Sequence, residues 1–220
     1  MKIMICCEGK TDIGPITAFM KKCVPALKLD IDCKTHSELR KTTLLKSELP
    51  RGFTKEGKRI NRIAYIRRLW HEAKKAKCRH IGLHQDLDHQ KAKKVYHDIH
   101  EDFSNILPSS INRIAIVPKE MTESWLLSDE NAFQKVFGKI PAMPALPEKP
   151  EETWGNKGTA KHPKTYIANV LSQFGTAISV ENYLEIAKHS QIDILQNRCP
   201  KSFGQFHTDM QTFIVKETTP

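Results

Sequence analysis

The sequence predicts an α/β protein: a mostly parallel sheet flanked by helices, with a helical extension towards the C-terminal end. Three observations carry this expectation. Short apolar runs alternate with stretches of helical periodicity in the order β-α-β-α-β-α-β, which favours parallel pairing. Two of those runs end in carboxylates, at the C-terminal strand ends where α/β sheets open their ligand crevice. After Pro118 only helical patterns remain, apart from a proline-rich interruption.

The elements follow in order. Residues 2–7 are apolar and form the first strand, and Gly14-Pro15 starts a helix that runs to about Lys22, with proline near a helix start. From Leu27 to Lys34 apolar and charged residues alternate, as in a half-buried strand. Lys41 to Lys58 holds Pro50, Gly52 and Gly57 among many charges and reads as a long basic loop. Ile60, Ile63, Ile66 and Leu69-Trp70 recur at helical spacing, giving an amphipathic helix over 60–77. A strand from His80 ends in Asp86-Leu87-Asp88, followed by a helix near 89–104 and a strand at Ile111–Val117. Met121 to Phe137 has an apolar helical side, and three further helices are expected at 159–173, 179–197 and 200–215. Between them, 138–156 carries Pro141, Pro144, Pro147 and Pro150 and reads as an exposed linker or flap. The chain thus divides into a core over 1–137, with its basic segment 40–79, the linker, and a helical extension over 157–220 that completes the site.

Composition excludes several classes. With 39% apolar and 27% charged residues over 220 positions, the chain can bury a full core. No apolar run reaches the length of a membrane span, no signal peptide precedes the first strand, and no membrane partner is expected. Six cysteines occur without Cys-x-x-Cys spacing, so neither a disulfide framework nor a zinc site is indicated, and a reducing cytoplasm is the expected location. The net charge of +10 is concentrated: Arg40 to Arg79 holds fourteen Lys/Arg against three acids. A localised positive field suits a polyanionic partner, here nucleic acid, and Arg59, Arg62, Arg67 and Arg68 are its candidate contacts. A solvated basic face without a task is the competing reading.

The chemistry concentrates in two acidic groups about seventy-five residues apart, Glu8-Gly9-Lys10-Thr11-Asp12 and Asp86-Leu87-Asp88. Carboxylates that converge on one crevice repel each other unless a divalent cation joins them. The combination points to a Mg2+ site, with Mn2+ as a substitute, built for phosphate chemistry. Asp86 or Asp88 as a cap of the following helix is the structural alternative. His84, His89, His97 and His100 lack the spacing of a soft-metal site. Trp125, Phe203 and Phe206 read as core, whereas Trp154 in the proline-rich stretch reads as exposed.

Glu8-Gly9, Asp12 and the later Asp86-x-Asp88, each after an apolar strand, resemble the Toprim domain of topoisomerases, primases and OLD-family nucleases. The block Pro118-Lys119-Glu120-Met121-Thr122-Glu123-Ser124-Trp125-Leu126-Leu127-Ser128-Asp129 is similar to one in small stand-alone OLD-like Toprim proteins. Lys161-His162-Pro163-Lys164 and the run from Ile192 to Phe203 are similar to later parts of the same family. The resemblance implies a Toprim-type sheet and a two-metal centre in which Glu8, Asp12, Asp86, Asp88 and Glu123 hold the ions. Glu8 could equally act as general acid or base, and Lys164 is the matched catalytic lysine, with Lys157 and Lys161 as competitors. It further implies a Mg2+-dependent nuclease, the effector of an anti-phage defence system switched on by a partner ABC-type ATPase. The chain has no Gly-x-x-x-x-Gly-Lys-[Ser/Thr] loop, so any ATPase acts in trans. DNA is the favoured substrate, with transfer RNA or another structured RNA as the alternative, and a Toprim subunit that binds without cleaving is the third reading.

Overall fold

The computed structural model of the chain describes residues 1–42, 57–87, 92–153 and 155–218, excluding the side chains of 57–61, 92–93 and 214–218. Four strands make one parallel sheet: β1 (Lys2–Cys7), β2 (Asp30–Thr35), β3 (His80–His84) and β4 (Asn112–Ile116), in the order β2-β1-β3-β4. From β1 the chain moves outward to β2 on one side, then to β3 and β4 on the other. The sheet therefore has a topological switch point between β1 and β3, where α/β folds bind ligands.

Alternate side chains of β1 enter two different cores, because successive residues of a strand point to opposite faces. Ile3, Ile5 and Cys7 join Ile114 and Ile116 beneath α1 (Lys10–Cys23) and the helices that follow β4. Met4 and Cys6 join Ile81, Leu83 and Ala115 beneath α3 (Gly57–Lys75) and α4 (Ala92–Ile106). A short helix, α2 (His36–Leu39), continues directly from β2 behind a Thr35–Glu38 capping box.

Among the described residues six α-helices follow β4: α5 (Thr122–Leu126), α6 (Glu130–Phe137), α7 (Pro163–Ser172), α8 (Val180–His189), α9 (Ile192–Arg198) and α10 (Phe203–Thr218). They do not form a separate body. Phe19 of α1 meets Trp125 and Phe203 edge-on, with ring centroids 5.9 and 5.5 Å apart. On the same face α8 crosses α1 so closely that a Cβ on Gly14 would stand 3.0 Å from Cβ of Leu184. Trp125, Phe203 and Phe206 are buried, as a core reading requires.

Several boundaries differ from those read in the sequence, each for a local reason. Helix α1 begins at Lys10, four residues before Gly14-Pro15, because the Asp12 carboxylate accepts from the Gly9 N–H at 2.9 Å and closes the first turn. Strand β2 starts at Asp30, past the apolar Leu27 and Leu29. The helical stretch 121–137 breaks where the Asp129 carboxylate accepts from the N–H groups of Asn131 and Gln191 and so starts α6. A second break at Ser190-Gln191 separates α8 from α9.

The proline-rich stretch is largely exposed, as a linker reading requires, and is tied to the helices as a strap. Ala142 and Met143 donate to Oε1 of Gln173 at 2.8 and 3.0 Å, and Arg198 reaches the carbonyls of Ser128 and Pro147. A 3-10 turn at Pro150–Glu152 buries Glu151, which accepts from the Lys201 and Ser202 N–H groups. Among the described residues no helix is long and apolar enough to cross a membrane.

Candidate active site and metal centre

Both acidic groups open at the switch point. Parallel β1 and β3 pair as far as Cys6 and Leu83 and then separate, so Glu8 leaves one strand end beside Asp86 on the other. A third element arrives from β4. Its exit loop carries Glu120 in the left-handed region at φ 68°, an unusual conformation for a side chain this size. The turn returns the chain towards the sheet, so that Thr122 donates its N–H to Oδ1 of Asp86 at 3.1 Å. Glu123 follows, almost fully buried at 1% exposure.

Three of the carboxylates each have one oxygen committed to the protein. Oδ2 of Asp12 accepts from the Gly9 N–H, Oδ1 of Asp86 accepts from Thr122, and Oε1 of Glu123 accepts from the Tyr183 hydroxyl at 3.1 Å. The other oxygens of Asp12 and Glu123 are shielded from solvent and have no hydrogen-bond partner. A buried carboxylate oxygen without a donor is costly, and a cation is the group that satisfies two of them together. These residues therefore fit a divalent metal that prefers oxygen ligands.

The electrostatics show the same convergence. Burial, together with the charges of Asp86 and Asp12, moves the Glu123 carboxyl from its ordinary 4.5 up to about 7, against the pull of Lys164. Full burial disfavours charge on His84, yet its bond to Asp86 and the fields of Asp12, Asp86 and Glu8 carry the imidazole to about 9. Burial also disfavours the Lys164 ammonium, but the fields of Glu123, Asp86, Asp12 and Glu8 outweigh it and raise its pKa. One lysine thus senses four carboxylates, Glu8 and Asp86 just past the ends of β1 and β3, Asp12 in α1 and Glu123 in α5.

Lys164 stands on the first turn of α7, directly after Pro163 and on the solvent-exposed side of the site. A helix N-terminus disfavours a cation unless anions face it, and here they do. Lys157 and Lys161 are also exposed, and Lys164 is the lysine with a large effect on Glu123. Asp88, His89 and Trp154 lie outside the described residues, as does the side chain of Arg59.

The basic face divides on inspection. Arg62 is turned inward: at 7% exposure its Nε lies 2.6 Å from Oδ2 of Asp102, joining α3 to α4. It is a buried structural cation, which corrects its assignment as a nucleic-acid contact. The apolar periodicity of α3 puts residue 62 on the same side as Ile66 and Leu69, so the position was readable as inward. Arg67 and Arg68 are half-buried, Arg68 donating to the Thr42 carbonyl at 3.3 Å, while Lys74, Lys75, Lys77 and Arg79 are exposed.

Three site residues escaped the sequence reading. His84 is fully buried beside Asp86, and one polar atom each of Asp12, His84 and Asp86 lies within 4.8 Å of the others. Its place on the strand immediately before the Asp-x-Asp pair was the available signal. Thr122, directly before Glu123 at a helix start, carried the signal of a polar residue at a first turn. Tyr183 had none, since its position on α8 reads only as apolar periodicity. No family model, curated protein or solved structure matches this chain, so the site rests on its own residues.

Proposed function

We propose that the chain is a Mg2+-dependent nuclease of the Toprim type, with Mn2+ as a substitute ion, that cleaves phosphodiester bonds. The observation that carries the reading is a set of buried carboxylates close enough to act on one another and on one lysine, two of them with an oxygen that has no hydrogen-bond partner. Glu8, Asp12, Asp86 and Glu123 would hold the metal, joined by Asp88. A bound divalent ion supplies Lewis acidity and lowers the pKa of water, which is the chemistry phosphodiester hydrolysis needs.

The residues of the chain do the rest. Gly9, Thr122 and Tyr183 each hold one carboxylate oxygen, so the site is organised before any ion arrives. Lys164, charged at neutral pH, reaches the open side of the crevice and would neutralise charge that develops on a phosphate there. The basic segment 40–79 would meet a polyanion through backbone charge, which DNA and RNA share. DNA is the favoured substrate, and structured RNA such as transfer RNA is the alternative arm of the test. The reading places the protein in the cytoplasm, as an anti-phage defence effector activated in trans by an ABC-type ATPase.

The test is incubation of the protein with plasmid, single-stranded DNA and total transfer RNA, with Mg2+ or Mn2+, with and without the partner ATPase. Cleavage that EDTA stops and Asp86→Ala abolishes is expected. Metal-independent cleavage, or none under every condition, would refute the reading.

A further inference from the structure

His84 touches both halves of the acidic site. The Glu8 N–H donates to its Nδ1 at 3.4 Å, and its Nε2 lies 2.9 Å from the Thr122 hydroxyl and 3.3 Å from Oδ1 of Asp86. The Thr122 hydroxyl in turn stands 3.4 Å from the same Asp86 oxygen. His84 is fully buried and Thr122 equally so, which puts their contacts with each other and with Asp86 out of reach of water.

The direction of these bonds follows from the backbone. An amide N–H only donates, so the bond from Glu8 uses the Nδ1 lone pair and places the ring proton on Nε2. Nε2–H then donates to the Thr122 oxygen, which frees the threonine proton for Asp86. The Glu8 N–H holds the ring in this tautomer, in which Nε2 has no lone pair to offer a metal although His84 stands close enough to Asp12 and Asp86 to be a ligand.

We propose that His84 and Thr122 are positioning residues: they form one relay from the Glu8 backbone to Oδ1 of Asp86 that fixes this carboxylate and leaves its second oxygen for the metal. The inference rests on the metal-centre reading above and adds residues that act through Asp86. It assigns His84 to orientation and withholds it from the coordination sphere. Partners that orient a ligand in this way typically contribute about 10- to 100-fold to metal affinity.

The test is Mn2+ binding by calorimetry on the full chain, with pulsed electron paramagnetic resonance on the Mn2+-loaded protein. Thr122→Val, which keeps the shape and the backbone N–H but removes the hydroxyl, should weaken Mn2+ binding about tenfold or more, while Thr122→Ser restores it to within about threefold. His84→Ala should weaken binding similarly, and the double variant should lose no more than the worse single one, since both interrupt a single relay. The wild-type resonance should contain no coupling from a directly bound nitrogen, a readout that needs no variant to fold. A directly bound nitrogen, or a Thr122→Val protein with unchanged Mn2+ affinity, would overturn the positioning role and leave the metal centre standing. No Mn2+ binding by the wild type would instead remove the metal centre, and the relay with it.

Discussion

Replacing Glu123 with glutamine should make the metal-free protein more stable. The carboxyl moves from 4.5 to about 7 in the fold, so between those pH values the native chain holds a proton that the unfolded chain has lost. Stability then falls as pH rises through this window, and the full penalty is present by about pH 8. A shift of this size corresponds to about 3 kcal/mol. Glu123→Gln removes the charge, keeps an acceptor for Tyr183 and turns an amide N–H towards the neighbouring carboxylates. In EDTA at pH 8 its Tm should exceed that of the wild type by roughly 6–12 °C, with almost no difference at pH 4.5. Saturating Mn2+ should stabilise the wild type and do little for the variant, reversing their order. Scanning calorimetry at two pH values, with and without Mn2+, reads all of this. A variant that is less stable at both pH values would show that Glu123 is an ordinary structural carboxylate and would refute the reasoning.

Other consequences are more direct. Arg62→Ala removes a buried charge-assisted bond that joins α3 to α4, so it should cost about 1.5–3 kcal/mol in urea unfolding, whereas the wild-type salt dependence of nucleic-acid binding should survive in the protein that remains folded. Lys164→Ala should reduce turnover by about 100-fold or more with Mn2+ affinity unchanged or slightly tighter, because a repelling cation has gone; parallel kinetics and calorimetry separate the two. Tyr183→Phe removes a hydrogen bond to a charged group, so Mn2+ affinity at pH 7 should fall about tenfold or more, an effect that calorimetry would show shrinking at higher pH.

Legibility in the sequence depended on how local each cause was. Strands β1, β3 and β4 could be read because their apolar runs end in punctuation within a few residues, and Glu8, Asp12 and Asp86 could be placed because they sit at those ends. The start of α1 could not, since it is set by a reciprocal Gly9–Asp12 bond that a glycine-proline pair obscures. Arg62 was misplaced because composition counts charges without regard to direction, although its spacing from Ile66 and Leu69 along α3 already turned it inward. Tyr183 meets Glu123 across sixty positions, and no pattern within either segment announces the other. The strap over 142–152 looked loose for the same reason: its partners Gln173, Arg198 and Ser202 are all remote in sequence.

The close crossing of α1 and α8 at Gly14 and Leu184 has a consequence in time. A ribosome makes Glu8, Asp12 and Asp86 early, but Lys164 and Tyr183 only after roughly a hundred further residues, about 5–20 s later at ordinary rates. Until α8 emerges and seats on α1, the acidic residues lack both the lysine that would meet a phosphate and the hydroxyl that orients Glu123. If the proposed nuclease reading holds, a nascent chain held beside messenger and transfer RNA would be inert, because the crevice is complete only when the last third of the protein closes over the first helix.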